Sequence, residues 1–263
     1  MTPSFAPDPS RREFLAQSAR VVAASALAGV TLPHVHAAGG DDVQLALIGS
    51  GNRGSGAVAN AMEVVGSPVR LVAMGDLYEN RLKNSHKALT NKFSYRVDVP
   101  DDRQFVGFDA FKKAIDCLRP HSGDIAMLTG YAGFRAQQLE YAVQRGVNVF
   151  MEKSFATDPP QARRIIAAGE EAEKKGLKIA AGLMCRHSRN RQELIKRIHD
   201  GELGEILAVR AYRMEPSGWL KPRPAETPDL EYQIRNFTKF LWVSGGLWAE
   251  MDIHQIDELC WIK

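Results

Sequence analysis

From Val43 onward, short apolar runs alternate with longer stretches in which apolar side chains recur at helical spacing. The runs at 43–49, 69–76, 124–130, 147–151 and 177–182 are brief and mostly apolar, the pattern of strands covered on both faces. Between them, helices are predicted from the glycine-rich turn to about residue 65, from Glu79 into a lysine-rich stretch, and over 108–118, 135–144 and 159–175. Gly146 stops one of these, and Asp158-Pro159-Pro160 opens another, where an acceptor side chain and prolines suit a first turn. Strands separated by helices predict βαβ units, hence a parallel sheet with helices on both faces and an α/β fold.

The pattern changes near 182–190. A helix is expected over 189–200, closed by Gly201, and then a longer strand of alternating character over 205–212. Residues 215–244 are rich in proline, glycine and charge, with Trp219 and Trp242 embedded, and a last helix is expected over about 248–261. A loop of this length calls for a functional or second-domain explanation. The expected organisation is therefore a sheet domain over 38–185 and the start of a second domain over 186–263. One strand cannot make a sheet, so that second domain is expected to be incomplete in this chain.

The N-terminus carries a different kind of signal. Ser10-Arg11-Arg12-Glu13-Phe14-Leu15 reads as the twin-arginine export signature, followed by an apolar region to about Leu32 and a small-residue exit at Ala37-Ala38. Gln17 and Arg20 interrupt the apolar region, whereas a spanning helix wants about 20 mostly uncharged residues. Residues 1–37 are accordingly expected to be a cleaved signal, with the twin-arginine machinery as a partner and the periplasm or another exported location as the destination. That route carries proteins already folded, so any cofactor is expected to be loaded beforehand and held tightly.

Composition narrows the classes. A net charge of +3, with 25% charged and 44% hydrophobic residues, describes a soluble globular protein and gives no argument for a nucleic-acid partner. Cys117, Cys185 and Cys260 are odd in number and widely spaced, without C-x-x-C, so they are expected to pack as small hydrophobes rather than bind zinc. No metal site is expected.

Gly49-Ser50-Gly51-Asn52-Arg53-Gly54 is G-x-G-x-x-G, and it joins a predicted strand to a predicted helix. In that context the first glycine allows the tight turn, the second lets the backbone approach a pyrophosphate, and the third lets helix pack on strand. The helix N-terminus then faces the phosphates with unpaired N–H groups and the positive end of its dipole. Asp76 ends the second strand 22 residues after Gly54, where a carboxylate can accept bonds from both ribose hydroxyls. A 2′-phosphate would be repelled there, which favours NAD, with NADP as the alternative if Arg53 or Arg81 accommodates the phosphate.

Two further loops fall at the carboxyl edge of the predicted sheet, where ligands of parallel sheets gather. Thr129-Gly130-Tyr131 stands where a nicotinamide ribose would lie, although a small-residue turn accounts for it equally. Glu152-Lys153-Ser154 could be solvated surface, or its ammonium could hold a substrate hydroxyl and stabilise an alkoxide while hydride leaves the same carbon. The expected cofactor contacts are Gly49, Gly51, Asn52, Arg53, Gly54, Asp76, Thr129, Gly130, Glu152 and Lys153.

In the last helix Glu250, His254 and Asp257 fall at i, i+4 and i+7, on one face. Three readings stay open: a histidine tuned by carboxylates for acid–base work, a metal site of two carboxylates and an imidazole, and acidic residues complementing the helix dipole.

Seven stations along the mature chain together resemble the Gfo/Idh/MocA family, whose members include glucose-fructose oxidoreductase and inositol dehydrogenase. They are the glycine-rich turn, Asp76, the strand ending at Thr129, Glu152-Lys153, Arg186-His187, Asp200-Gly201-Glu202-Leu203-Gly204-Glu205-Ile206, and Gly245-Gly246 with His254-Gln255-Ile256-Asp257. The resemblance implies a Rossmann-type parallel-sheet domain followed by an α+β domain with an open sheet, used for substrate binding and homo-oligomerisation. It implies that Lys153 positions the substrate hydroxyl, that His254 takes its proton during oxidation, and that Glu250 is the acidic partner. Three positions depart from the family pattern. Ser154 replaces the proline of E-K-P, Gly130 and Phe134 stand where proline and histidine are usual, and Glu250 replaces an aspartate.

The expected function is reversible hydride transfer between bound NAD(H) and a secondary alcohol of a sugar, polyol or sugar derivative. Two alternatives are kept: a glycosidase that works by transient oxidation without consuming its cofactor, and a cofactor-binding accessory protein without turnover.

Overall fold

The computed structural model describes residues 42–64, 66, 68–214 and 220–263; the expected signal at 1–37 and Trp219 lie outside them. The strands are β1 (Val43–Ile48), β2 (Val69–Asp76), β3 (Gln104–Val106), β4 (Ile125–Leu128), β5 (Asn148–Met151) and β6 (Ile179–Ala181). All pair in parallel, in the order β3-β2-β1-β4-β5-β6. This is the strand order of a Rossmann-type doubly wound sheet, and it reverses between β1 and β4, where such folds open a ligand crevice.

The helices of this unit are α1 (Asn52–Met62), α2 (Glu79–Phe93), α3 (Ala110–Ile115), α4 (Arg135–Gln144) and α5 (Pro159–Lys174). Alternation along β1 sorts them onto two faces. Leu45 and Leu47 share one cluster with Val58 of α1 and Leu82 of α2. Ala46 and Ile48 share the other with Phe111 of α3 and Leu139 of α4. Each fully buried leucine contributes about 1.5–3 kcal/mol relative to exposure, so both layers hold the sheet rigidly behind its loops. As the sequence predicts, Asp158 caps α5, its carboxylate accepting from the Gln161 N–H at 2.8 Å with Pro159 in the first turn.

The structure departs from the sequence pattern at three points. The sequence does not mark β3, because three residues carry no readable period; it forms where Met74, Gly75 and Asp76 offer the free edge of β2. The strand expected over 205–212 does not form. No strand adjoins it among the described residues, and Leu207 and Tyr212 are exposed. A lone strand satisfies none of its backbone groups and buries no face, so alternation by itself does not sustain one. Beyond Ala181 the described elements are instead helical: α6 (Arg189–His199), α7 (Asp229–Arg235), α8 (Leu241–Ser244) and α9 (Ile253–Ile262). The cysteines are free thiols; Cys185 is buried, whereas Cys260 is exposed, against the expectation that all three pack inside.

Candidate active site

The glycine-rich turn has a separate reason for each glycine. Gly49 adopts a φ of +94°, and a Cβ there would collide with the Gly130 backbone. A Cβ on Gly54 would collide with Gly49 O and Thr129 Oγ1. Gly51 caps α1 in an extended conformation, and a Cβ there would meet no described atom within 4 Å. Two glycines are thus required by the protein's own packing, while the third leaves open space before the helix N-terminus, where backbone N–H groups have no partners within the helix. Thr129 stitches this turn to β4: its Oγ1 donates to Gly49 O at 2.6 Å, and its N–H donates to Ile48 O at 2.8 Å.

Asp76 closes the next side. Its carboxylate accepts from Ser50 N–H at 2.6 Å and Tyr78 N–H at 2.8 Å. Burial pushes its pKa up, against those backbone donors and the nearby Arg81 charge. Arg81 donates to the Tyr131 hydroxyl at 2.6 Å, and both Arg81 and Arg235 lie over the Tyr78 ring, at 4.9 and 4.0 Å. Phe237 packs against Tyr131 at 5.0 Å and Trp242 against Phe134 at 6.1 Å. Residues from α7 to α8 therefore fold back onto the loop after β4. Beside Asp76, an apolar slot lies between Leu77, Phe108 and Phe134.

Glu152 and Lys153 follow β5 and point to different partners. Glu152 is buried and accepts from Arg53 Nε at 2.7 Å, so Arg53 spans from the glycine-rich helix to the β5 loop. Lys153 Nζ donates to the Glu250 carbonyl at 2.7 Å and its carboxylate at 2.9 Å. The Lys153–Ser154 peptide is cis, and Ser154 Oγ donates to the Ala249 carbonyl.

Glu250 and His254 line one cleft, but the two carboxylates of the Glu250, His254 and Asp257 trio bond elsewhere. Residues Trp248–Asp252 form a π-helical turn before α9, which breaks the regular 100° step assumed from the sequence. Glu250 turns to Lys153, whereas Asp257 forms a two-pronged pair with Arg186, whose guanidinium also lies 4.8 Å from the Trp261 ring. His254 stands between them with neither carboxylate bonded to it, and its Nδ1 is buried without a partner. Burial, Lys153 and Arg213 push its pKa below the ordinary value, opposed by Glu152 and Asp257. No group of three or more histidine, cysteine, aspartate or glutamate side chains among the described residues could hold a metal ion.

One cleft of about 1230 Å³ joins these groups. Gly49, Gly51, Asn52, Arg53, Asp76, Thr129, Gly130, Glu152, Lys153, Glu250 and His254 all line it; Gly54, expected among the contacts, instead sits behind the turn as packing. The sequence names Tyr131 within its Thr129-Gly130-Tyr131 loop, but it does not reveal Arg235 and Phe237 on the wall or Arg135 beneath it. Arg235 and Phe237 lie in a stretch with no motif. Arg135 offered one hint, a cation in the first turn of a helix, where the dipole disfavours it. Chemically, the cleft offers an open helix N-terminus that could face a pyrophosphate, the Asp76 carboxylate, a lysine, and an imidazole whose pKa is pushed down.

The chain is similar to sugar and polyol oxidoreductases. It is 27% identical over 125 residues to the dTDP-3,4-didehydro-2,6-dideoxy-alpha-D-glucose 3-reductase of Actinomadura kijaniata, covering 48% of this chain and 32% of that protein. It is 25% identical over 111 residues to the inositol 2-dehydrogenase of Corynebacterium glutamicum, covering 42% and 32%. The family resemblance is thereby supported. The fold matches the crystal structure of scyllo-inositol dehydrogenase from Lactobacillus casei with bound NAD(H) and scyllo-inositol, with a TM-score of 0.60, 22% identity, and coverage of 84% of this chain and 56% of that one. The matched region thus spans about half the length of that dehydrogenase and about a third of the curated relatives. No family model matches the chain.

Proposed function

We propose that this protein is an NAD(P)-dependent oxidoreductase acting on a secondary alcohol of a sugar, polyol or sugar derivative. The observation that carries the reading is the single cleft into which the glycine-rich turn, Asp76, Lys153 and His254 all open. Gly51 and the N–H groups of Asn52 and Arg53 would hold the pyrophosphate, Asp76 would hold the adenosine ribose, and Phe108 and Phe134 would flank the adenine. NAD fits the carboxylate at the ribose position; NADP is the alternative, with Arg81 as the nearby cation.

When bound, the nicotinamide supplies a two-electron hydride acceptor. Around it, the Lys153 ammonium donates to the substrate oxygen and steadies the negative charge that grows there as the carbonyl forms. His254, whose depressed pKa keeps it uncharged near neutrality, accepts the hydroxyl proton. Glu250 holds Lys153 in place from the start of the last helix. In the reverse direction His254 returns the proton and Lys153 again holds the oxygen.

The wider organisation belongs to the same proposal: an exported, periplasmic protein with residues 1–37 as a twin-arginine signal, a dinucleotide domain to about residue 185, and a substrate and homo-oligomer domain beginning at 186. The cofactor is loaded before export and held tightly. Native mass spectrometry of the exported protein, before and after denaturation, tests this. Release of one NAD(H) or NADP(H) per chain supports it; an empty protein that also fails to take up added dinucleotide overturns it. Product release from a glycoside without net NADH would move the chain to the transient-oxidation glycosidases.

A further inference from the structure

Among the described residues, Arg135 is the largest side chain with no exposure to solvent. It carries no carboxylate bond. Its Nη1 donates to the Leu128 carbonyl, its Nη2 donates to the Gly130 carbonyl at 2.7 Å, and its Nε has no partner. Burial draws its pKa down to about 10, with Glu152 and Glu250 opposing, so it remains a cation at neutral pH. Burying a charge on two neutral carbonyls, with Nε unpartnered, is costly.

The two carbonyls show where it acts. Leu128 O also accepts the Glu152 N–H at 2.9 Å, so the guanidinium sits at the join between the β4 turn and the Glu152–Lys153 loop. Gly130, between Thr129 and Tyr131, is packed against Gly49, and it has no side chain to limit its own backbone. Across a trans peptide the carbonyl and the following N–H point in opposite directions. Holding the Gly130 carbonyl inward therefore turns the Tyr131 N–H the other way, toward the cleft that both residues line.

We propose that Arg135 is a positioning residue: an internal clamp that fixes the Thr129–Tyr131 turn in its ligand-ready shape and so aims a main-chain donor into the dinucleotide cleft. A planar fork can bind two carbonyls at once, which a lysine ammonium on a flexible stem does poorly. This inference rests on the dinucleotide reading for its ligand, but not for the clamp itself.

Hydrogen exchange tests the clamp without any ligand. In Arg135→Lys, the amides of 129–134 should exchange at least tenfold faster while those of β1 and β2 keep their rates; unchanged exchange at 129–134 overturns the clamp. Titration with NADH, read by its fluorescence, tests the consequence. Arg135→Lys should bind at least tenfold more weakly. Adding Gly130→Ala should recover about two- to fivefold by limiting the free turn, since a Cβ there meets only Gln138, at 3.9 Å. In the unaltered protein the hydrogen-bonded amides of Thr129 and Phe134, at the two ends of the turn, should exchange as slowly as those of β1. Exchange there tenfold faster overturns the clamp even if no Arg135 variant folds. Unaltered protein that binds neither NADH nor NADPH overturns the dinucleotide reading, and hence the ligand role, while the exchange result still decides the clamp.

Discussion

Lys153 donates to two oxygens of one residue, the main-chain carbonyl and the carboxylate of Glu250, across 97 positions of sequence. The two hydrogen bonds restrict the ammonium to a small arc at the edge of the cleft, with one donor left for a substrate oxygen. The two acceptors also differ in what a substitution removes. In Glu250→Gln the carbonyl remains and only the charge is lost.

Glu250→Gln is therefore expected to lower kcat for alcohol oxidation about tenfold, and Lys153→Met about a hundredfold or more. Dinucleotide affinity should stay within about threefold in both. Steady-state kinetics with a turned-over polyol, beside NADH titration, reads the split; equal losses in affinity and rate would remove Lys153 from the chemistry.

The three glycines of the turn should separate by experiment. Gly49→Ala and Gly54→Ala force a Cβ into backbone and should each cost about 1–3 kcal/mol or more in stability. Gly51→Ala has open space and should melt as the unaltered protein does, within about 0.5 kcal/mol. Its expected defect is a tenfold or greater loss of dinucleotide affinity. A Gly51→Ala protein that binds NADH normally would show that the pyrophosphate lies elsewhere.

The sign of the His254 shift sets a pH dependence. Its value in the fold lies below the 6.5 of a free imidazole, so the unfolded chain binds the proton more readily. Its stability contribution is complete above about 6.5 and is lost as pH falls toward the folded value. The oxidation rate should follow the uncharged imidazole, with an acid limb centred below 6.5. A pH–rate profile of kcat/KM checks this, and His254→Asn should abolish the limb along with about a hundredfold of the rate.

Asp76→Asn should shift the ratio of NADH to NADPH affinity about tenfold toward NADPH, because one charge-assisted bond to ribose and the repulsion of a 2′-phosphate go together. The ratio cancels any general loosening from the Ser50 and Tyr78 donors. An unchanged ratio would detach Asp76 from the ribose.

Legibility followed the range of the interaction. The strands buried on both faces, the glycine-rich turn and the Asp158 cap could be read because each is a local pattern with a local cause. The carboxyl-edge position of Lys153 followed from counting strands. By contrast, the 205–212 strand misled because alternation describes a face without saying that a partner exists. The Glu250, His254 and Asp257 spacing told only part, because a π turn precedes α9 and because Lys153 and Arg186 claim the two carboxylates from elsewhere. Arg135 was invisible as a core residue, since nothing in its neighbours marks an arginine that faces two carbonyls.

The packing of Phe237 on Tyr131 and Trp242 on Phe134 has a consequence for the order of events. These contacts join residues about a hundred positions apart, a longer span than any strand pairing in the sheet, where β1 against β4, Leu45 beside Ile125, is the longest. Closing the longer loop gains its reward only once the β4 loop exists, so the segment carrying Arg235 and Phe237 should dock last. What docks last is also what lifts first. One wall of the cleft can therefore breathe while the sheet behind it stays intact, giving a ligand a doorway that does not require the frame to melt.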